Sequence, residues 1–133
     1  SDGDTGNRDA DAFTDPNPVD IFGMTDRAKA FITAQAKAGK PFYLQMSYHA
    51  LHLPENAMKA SLARFEAKTA GRIHRDPARA AITYDLDTGV GRLLEAITAL
   101  SLEKNTYVIY MADNGGGGAG AYTHLTLPTA VNG

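Results

Sequence analysis

The sequence predicts an α/β fold in which mostly parallel sheet strands are flanked by helices. Residues 42–47 and 106–111 are short, uncharged runs rich in aromatic and aliphatic side chains, which is the composition of buried strands. The stretch between them has helical periodicity and is far longer than a hairpin connection, as parallel strands require. Polar residues follow each run directly, where open α/β sheets place their ligands.

Three helices are predicted from capping signals and apolar stripes. The first starts with Thr25 as N-cap and stops at Gly39. The second covers residues 56–68, and the third starts at Asp76, which is followed by proline, and continues to about Leu100. The core stripe of the third helix is predicted to contain Ile82, Leu86, Val90, Leu93, Ile97 and Leu100.

Glycines interrupt the third predicted helix at two positions, Gly89 and Gly91. Each should weaken the helix by roughly 1 kcal/mol relative to alanine. Their presence therefore predicts close packing of this helix against the sheet.

Length and composition allow one modest domain and exclude several classes of protein. The chain has 133 residues, 44% of them apolar and 21% charged, with a formal net charge of −2. This charge gives no reason to expect nucleic acid or an anionic membrane as a partner. No apolar run approaches the roughly 20 residues of a membrane-spanning helix. The absence of cysteine excludes a disulfide, a thiolate metal site or a cysteine nucleophile within these residues.

The two ends of the chain differ from its centre. Residues 1–20 are acidic and rich in turn formers, and they are predicted to be an irregular surface segment. Residues 122–133 begin with Tyr-Thr-His-Leu-Thr-Leu-Pro-Thr, which matches the translation of a sequencing adapter. We therefore interpret residues 1–121 as the natural domain segment and residues 122–133 as a non-native tail, with an ordinary polar terminus as the alternative.

Asp113 and Asn114 follow the second predicted strand and precede four glycines. Their carboxylate and carboxamide oxygens are hard donors of the kind that Ca²⁺ and Mg²⁺ take. An ordinary turn is an equally good interpretation of this segment by itself. The glycines also match a dinucleotide-binding pattern by spacing, but no helix and no acidic residue follow them. A non-catalytic module that binds a nucleotide phosphate stays an alternative, although the segment after the glycines argues against it.

His49 and His52 follow the first predicted strand. A single histidine is most often a structural residue, but two at a strand end, with a proline after them, indicate a site. They could donate hydrogen bonds to an anionic oxygen or act as acid and base. Two histidines without a third nearby ligand are a poor zinc signature.

Together these segments resemble the sulfatase family of the alkaline-phosphatase-like superfamily. Residues 41–44 lead into residues 47–54, Ser-Tyr-His-Ala-Leu-His-Leu-Pro, which is similar to the family's H-x-P-H-x-P segment. Residues 84–94 are similar to the long helix that carries "LDxxVGxLL". Residues 105–110 and 112–116 are similar to "NTxVIFTSDNGG".

The resemblance covers about residues 25–116 and implies part of an alkaline-phosphatase-like fold. It implies that Asp113 and Asn114 are ligands of an active-site Ca²⁺, for which Mg²⁺ is the alternative ion. It further implies that His52 contacts the sulfate ester and that His49 has a weaker role. It also implies a periplasmic or secreted protein.

Departures from the family pattern decide how much chemistry these residues can perform. Leu51 stands where the family has proline and Ala112 where it has serine or threonine, and neither change looks disabling. The C/S-x-P-x-R segment that yields the formylglycine nucleophile is absent, as are the paired aspartates and the sulfate-binding lysines. The sequence therefore predicts an inactive fragment of a sulfuric ester hydrolase. A related phosphodiesterase or phosphonate hydrolase is the alternative within the superfamily.

Overall fold

The structure is a computed structural model that describes residues 21–52, 56–73 and 75–114. Three α-helices form its framework: α1 (Ile21–Lys37), α2 (Lys59–Glu66) and α3 (Pro77–Ala99). A short 3₁₀ turn, Glu103–Asn105, follows α3. The predictions for residues 1–20, for the glycine run and for residues 122–133 lie outside the described residues. Among the described residues, no helix has the length and hydropathy of a membrane-spanning segment.

Helix α3 is the central element, because α1 and α2 both pack on it. The residues buried between the helices are mainly small or β-branched aliphatic side chains, namely Ile21, Ala28, Ile32, Ala81, Ile82, Leu86 and Ile97. Burial of such apolar surface is the main term that favours this arrangement. Three residues of the predicted stripe of α3 are buried (Ile82, Leu86 and Ile97), and the other three are half-buried (Val90, Leu93 and Leu100).

The ends of α3 and α1 follow local sequence signals. The carboxylate of Asp76 accepts hydrogen bonds from the N–H groups of Ala78 and Arg79, at 2.9 and 3.2 Å. This confirms the predicted N-cap. At the end of α1, Gly39 has a φ of +60°, and its N–H donates to the Ala36 carbonyl. This is the glycine-terminated helix end that the sequence predicted.

Two helix boundaries differ from the prediction. Thr25 is not an N-cap, because α1 already includes Ile21, one turn earlier. The apolar side chains of Ile21, Ala28 and Ile32 share one face with Thr25, and their packing on α3 overrides the local preference of threonine for a cap. Helix α2 is shorter than the predicted residues 56–68, since its regular part is Lys59–Glu66.

The start of α2 is fixed by a side chain from α3. Asp85 is 2% exposed, and its Oδ2 accepts a hydrogen bond from the N–H of Met58 at 2.8 Å. Its Oδ1 accepts a hydrogen bond from the Ser61 hydroxyl. Asp85 thus accepts hydrogen bonds from the start of α2, although it belongs to another helix. A capping side chain normally belongs to the helix that it caps. A tertiary cap of this kind has no local sequence signature.

The predicted parallel α/β sheet is wrong for the described residues. Residues 42–47 and 106–111 are without secondary structure, and the described part of the chain contains helices and no strand. Tyr107, Ile109 and Met111 are 99%, 81% and 78% exposed, instead of buried in a sheet. The reason is that a strand needs a hydrogen-bonded neighbour, and an apolar, β-branched composition does not supply one.

The expectation about the two glycines of α3 is correct in part. A Cβ atom at Gly89 would lie 2.9 Å from Thr25 Oγ1 and 3.2 Å from Ile21 Cγ2. Gly89 therefore permits a close approach, but to α1 and not to a sheet. A Cβ atom at Gly91 would meet nothing within 4 Å, so Gly91 has no packing role of this kind.

Candidate functional site

The segment that carries the predicted site histidines lies against α1. Phe42, Leu44 and Met46 are half-buried, while the residues that alternate with them are exposed. The ring of Phe42 packs edge-on against Phe31 of α1, with 5.9 Å between ring centroids. Period-two burial of this kind requires an extended backbone with one face on the protein. The strand predicted for residues 42–47 is therefore absent, and the segment shares only this alternating exposure with a strand.

Tyr48 anchors the end of this segment to the helix pair. Its phenolic oxygen lies 2.8 Å from Thr25 Oγ1, which in turn donates to the Ile21 carbonyl at 2.8 Å. The same phenolic oxygen lies 3.6 Å from the position of a Cβ atom at Gly89. Tyr48 therefore sits at the seam of α1 and α3, immediately before His49. Tyr48 was not among the predicted site residues, although the sequence offers one signal, because Tyr48 continues the alternation of large apolar residues through residues 42–48.

The structure brings His49 and His52 together. The N–H of His52 donates to the carbonyl of His49 at 2.9 Å, which closes a turn. Their rings are tilted relative to each other, with centroids 5.2 Å apart. Both side chains are exposed. Two imidazoles at this separation can each present an N–H to the same small anion.

Asp113 and Asn114 end the described part of the chain, and both are exposed. The N–H of Asn114 donates to Asp113 Oδ1 at 2.9 Å. The bond joins adjacent residues, so it is a local contact within a bend of the chain. The turn interpretation and the predicted metal role are compatible, because a carboxylate has two oxygens and about four acceptor positions.

The described residues do not assemble these side chains into a complete site. No group of three or more His, Cys, Asp or Glu side chains that could hold a metal occurs in residues 21–52, 56–73 and 75–114. Two surface depressions of about 290 and 300 Å³ are lined mainly by α1, α3 and the segment after α1, and by neither histidine nor Asp113. The roles predicted for His49, His52, Asp113 and Asn114 therefore stay predictions.

Comparison with known proteins assigns the chain to a family. The family model "Sulfatase" matches residues 4–130. A sulfatase from Formosa agariphila is 31% identical over 102 residues, which is 70% of this chain and 18% of that protein. An N-acetylgalactosamine-6-sulfatase from Mus musculus is 32% identical over 91 residues, 68% of this chain and 16% of that protein.

A third relative has a similar relationship to the chain. An N-acetylgalactosamine-6-O-sulfatase from Bacteroides thetaiotaomicron is 29% identical over 111 residues, 84% of this chain and 19% of that protein. No solved structure matches the chain. The chain spans less than a fifth of the length of these relatives. Because the family model covers most of its residues, the chain belongs to the sulfatase family.

Proposed function

We propose that this chain contributes part of the metal-binding and sulfate-binding site of a sulfuric ester hydrolase. The observation that carries the proposal is the family match over residues 4–130, which includes both the histidine pair and Asp113-Asn114. The chain would contact the sulfate ester and supply some of the ligands of the cation. The nucleophile is not one of its side chains.

Asp113 and Asn114 have the donor chemistry for Ca²⁺, with Mg²⁺ as the alternative ion. One carboxylate and one carboxamide oxygen on adjacent exposed residues are hard ligands that a divalent cation accepts. Ca²⁺ takes six to eight oxygens, so these residues would be two ligands among several. The bound cation would stabilise negative charge that develops on the ester oxygens. Asp113 and Asn114 themselves would hold and orient the cation.

His52 is the proposed contact to the sulfate ester, with a weaker contribution from His49. An imidazolium N–H is a charge-assisted donor to an anionic oxygen. The turn closed by the His52 N–H and the His49 carbonyl keeps both rings near one another and on the surface. An anion bound between them would be fixed in orientation. Tyr48 is the residue that positions this turn on the helix pair.

The chemical step needs a group that these residues lack. The sequence contains no cysteine and no serine in an S-x-P-x-R segment. Attack on the sulfur atom is therefore assigned to a formylglycine outside the 133 residues. Two relatives are named for N-acetylgalactosamine sulfates, which supports a carbohydrate sulfate as the ester.

An anion titration tests the proposed role of the histidines. The imidazole resonances of the chain should shift when inorganic sulfate is added in the presence of Ca²⁺, and His52→Ala should remove that response. Gln45→Ala, at an exposed position of the same segment, serves as the control and should leave the response unchanged. Equal or larger shifts with inorganic phosphate would favour the related phosphodiesterases. An unaltered response in His52→Ala would overturn the assignment of His52.

A further inference from the structure

A pair of cationic side chains lies over an aromatic pair where α2 and α3 meet. The rings of Phe65 and Tyr84 pack edge to face, with centroids 5.9 Å apart. The guanidinium carbon of Arg64 is 4.6 Å from the Tyr84 centroid and 5.9 Å from that of Phe65. The ammonium of Lys68 is 4.8 Å from the Phe65 centroid. None of these four residues belongs to the predicted sulfatase site.

The rings hold both cationic groups in place without neutralising them. A cation over an aromatic face is attracted by the ring quadrupole, but it keeps its full charge. Arg64 and Lys68 are exposed. Within the described residues, neither forms an ion pair with a carboxylate. Although Glu66 lies between them in sequence, the two cationic groups have no ion-pair partner among the described residues, so both can bind an external anion.

The surrounding segment extends this positive charge along the chain. Residues 59–79 contain six Lys or Arg and two Asp or Glu, in a protein whose net charge is −2. One of the two acids, Asp76, is occupied by the cap of α3. Arg72 and Arg75 are exposed, and the Arg75 guanidinium donates to the Arg72 carbonyl at 3.3 Å. The cationic charge is therefore local and not a property of the whole chain.

We propose that Arg64 and Lys68, together with Arg72 and Arg75 on the segment that follows α2, bind a polyanionic polysaccharide. Lys68 and Arg72 are four residues apart, so their Cα atoms are separated by at most roughly 14 Å. A polymer with repeated sulfate or carboxylate groups can contact both cationic pairs at once. Linked contacts of this kind raise the overall affinity above that of a single pair.

The ring geometry favours a polysaccharide over a nucleic acid. Surfaces that bind single strands present free aromatic faces on which bases stack. Here Arg64 lies over Tyr84, and Arg64 and Lys68 both lie over Phe65. The bases of a strand would have to displace these cations, whereas the anionic groups of a polysaccharide only need to approach them. The polysaccharide assignment also rests on the proposed function, since a sulfatase that acts on carbohydrate sulfates meets anionic sugars.

The test compares a double variant with a matched control. Binding of fluorescently labelled dextran sulfate to the full chain would be measured by anisotropy at several salt concentrations, with uncharged dextran as the blank. Arg64→Gln/Lys68→Gln should weaken binding by about tenfold and lower the salt slope by roughly two. Lys37→Gln/Lys40→Gln removes two exposed cations at the end of α1 and should change binding by less than about twofold. Circular dichroism establishes that each variant keeps its helices.

Several outcomes would overturn the proposal. These are no binding of dextran sulfate by the unmodified chain, and equal losses in the two double variants. Equal or tighter binding of single-stranded DNA or phosphatidylserine vesicles through Arg64 and Lys68 would replace the polysaccharide with another partner.

Two results distinguish failure of this inference from failure of the proposed function. If His52→Ala abolishes dextran sulfate binding and Arg64→Gln/Lys68→Gln does not, this inference fails and the sulfate site stands. If the cationic pair is required while His52→Ala and Asp113→Ala leave all sulfate and Ca²⁺ responses unchanged, the inference stands and the proposed sulfatase site fails.

Discussion

Thr25 Oγ1 lies 2.8 Å from the phenolic oxygen of Tyr48, and this contact joins the histidine segment to the helix pair. Thr25 has a single hydroxyl proton, which it donates to the Ile21 carbonyl. The Tyr48 hydroxyl must therefore be the donor to Thr25. The hydrogen bond fixes Tyr48 beside His49, at the point where α1 and α3 approach each other at Gly89.

Tyr48→Phe should lower the free energy of unfolding by about 0.5–1.5 kcal/mol, because it removes this partly buried hydrogen bond and leaves Thr25 Oγ1 with one partner fewer. Urea denaturation measures the change. Tyr43→Phe is the matched control, since the Tyr43 hydroxyl is exposed and donates only to Gln45 at 3.1 Å. The control should be close to neutral. Equal effects of the two variants would show that the Tyr48–Thr25 contact does not anchor the segment.

Alanine substitutions at Gly89 and Gly91 should have opposite signs. Gly89→Ala places a methyl group 2.9 Å from Thr25 Oγ1, a short side chain held by two hydrogen bonds. Such overpacking costs roughly 1–3 kcal/mol, which outweighs the gain in helix propensity. Gly91→Ala meets nothing and should stabilise α3 by up to about 1 kcal/mol. Thermal unfolding measures the stability of both variants. A Gly89→Ala protein that is more stable than the unmodified chain would contradict the close contact between α1 and α3.

Asp85→Ala should destabilise the protein by about 1–3 kcal/mol, because it leaves the Met58 N–H and the Ser61 hydroxyl without their acceptor. The loss of stability should be concentrated in α2, where amide hydrogen exchange should increase most. Asp87→Ala removes an exposed carboxylate from the same helix and should change stability by less than about 0.5 kcal/mol. Unchanged exchange in α2 would show that Asp85 is not its cap.

The chain by itself should not hydrolyse aryl sulfates. Catalysis by an activated nucleophile and by electrostatic stabilisation both require groups that are absent from the 133 residues. Release of a nitrophenol from its sulfate ester, followed against a buffer blank, provides the measurement. Turnover above the blank that disappears in Asp113→Ala would contradict the account.

Local features of this fold were predictable from the sequence. Asp76 with its following proline, and Gly39 at the end of α1, act through neighbouring backbone groups, and the structure contains both caps. The cap at Asp85 and the contact of Gly89 with Thr25 depend on residues distant in sequence. One usable signal was present, since Asp85 is a carboxylate within the apolar stripe of α3.

The sheet could not be inferred from composition. Residues 42–47 alternate between half-buried and exposed, and residues 107–111 are exposed, but neither segment pairs with a strand in the described part of the chain. The pairing of His49 with His52 follows from their spacing across one turn. A relationship between that pair and Asp113 depends on tertiary contacts, about which the local motifs carry no information.

Calcium titration of the chain, followed by amide chemical shifts, tests whether Asp113 and Asn114 are metal ligands. We expect weak, millimolar-range binding, because two oxygen ligands fall well short of a full shell. The shifts should be concentrated at Asp113 and Asn114 and should disappear in Asp113→Ala but not in Asp26→Ala, which removes an exposed acid from α1. No response at Asp113 and Asn114 at saturating Ca²⁺, or a submicromolar site abolished by Asn114→Ala, would contradict the account.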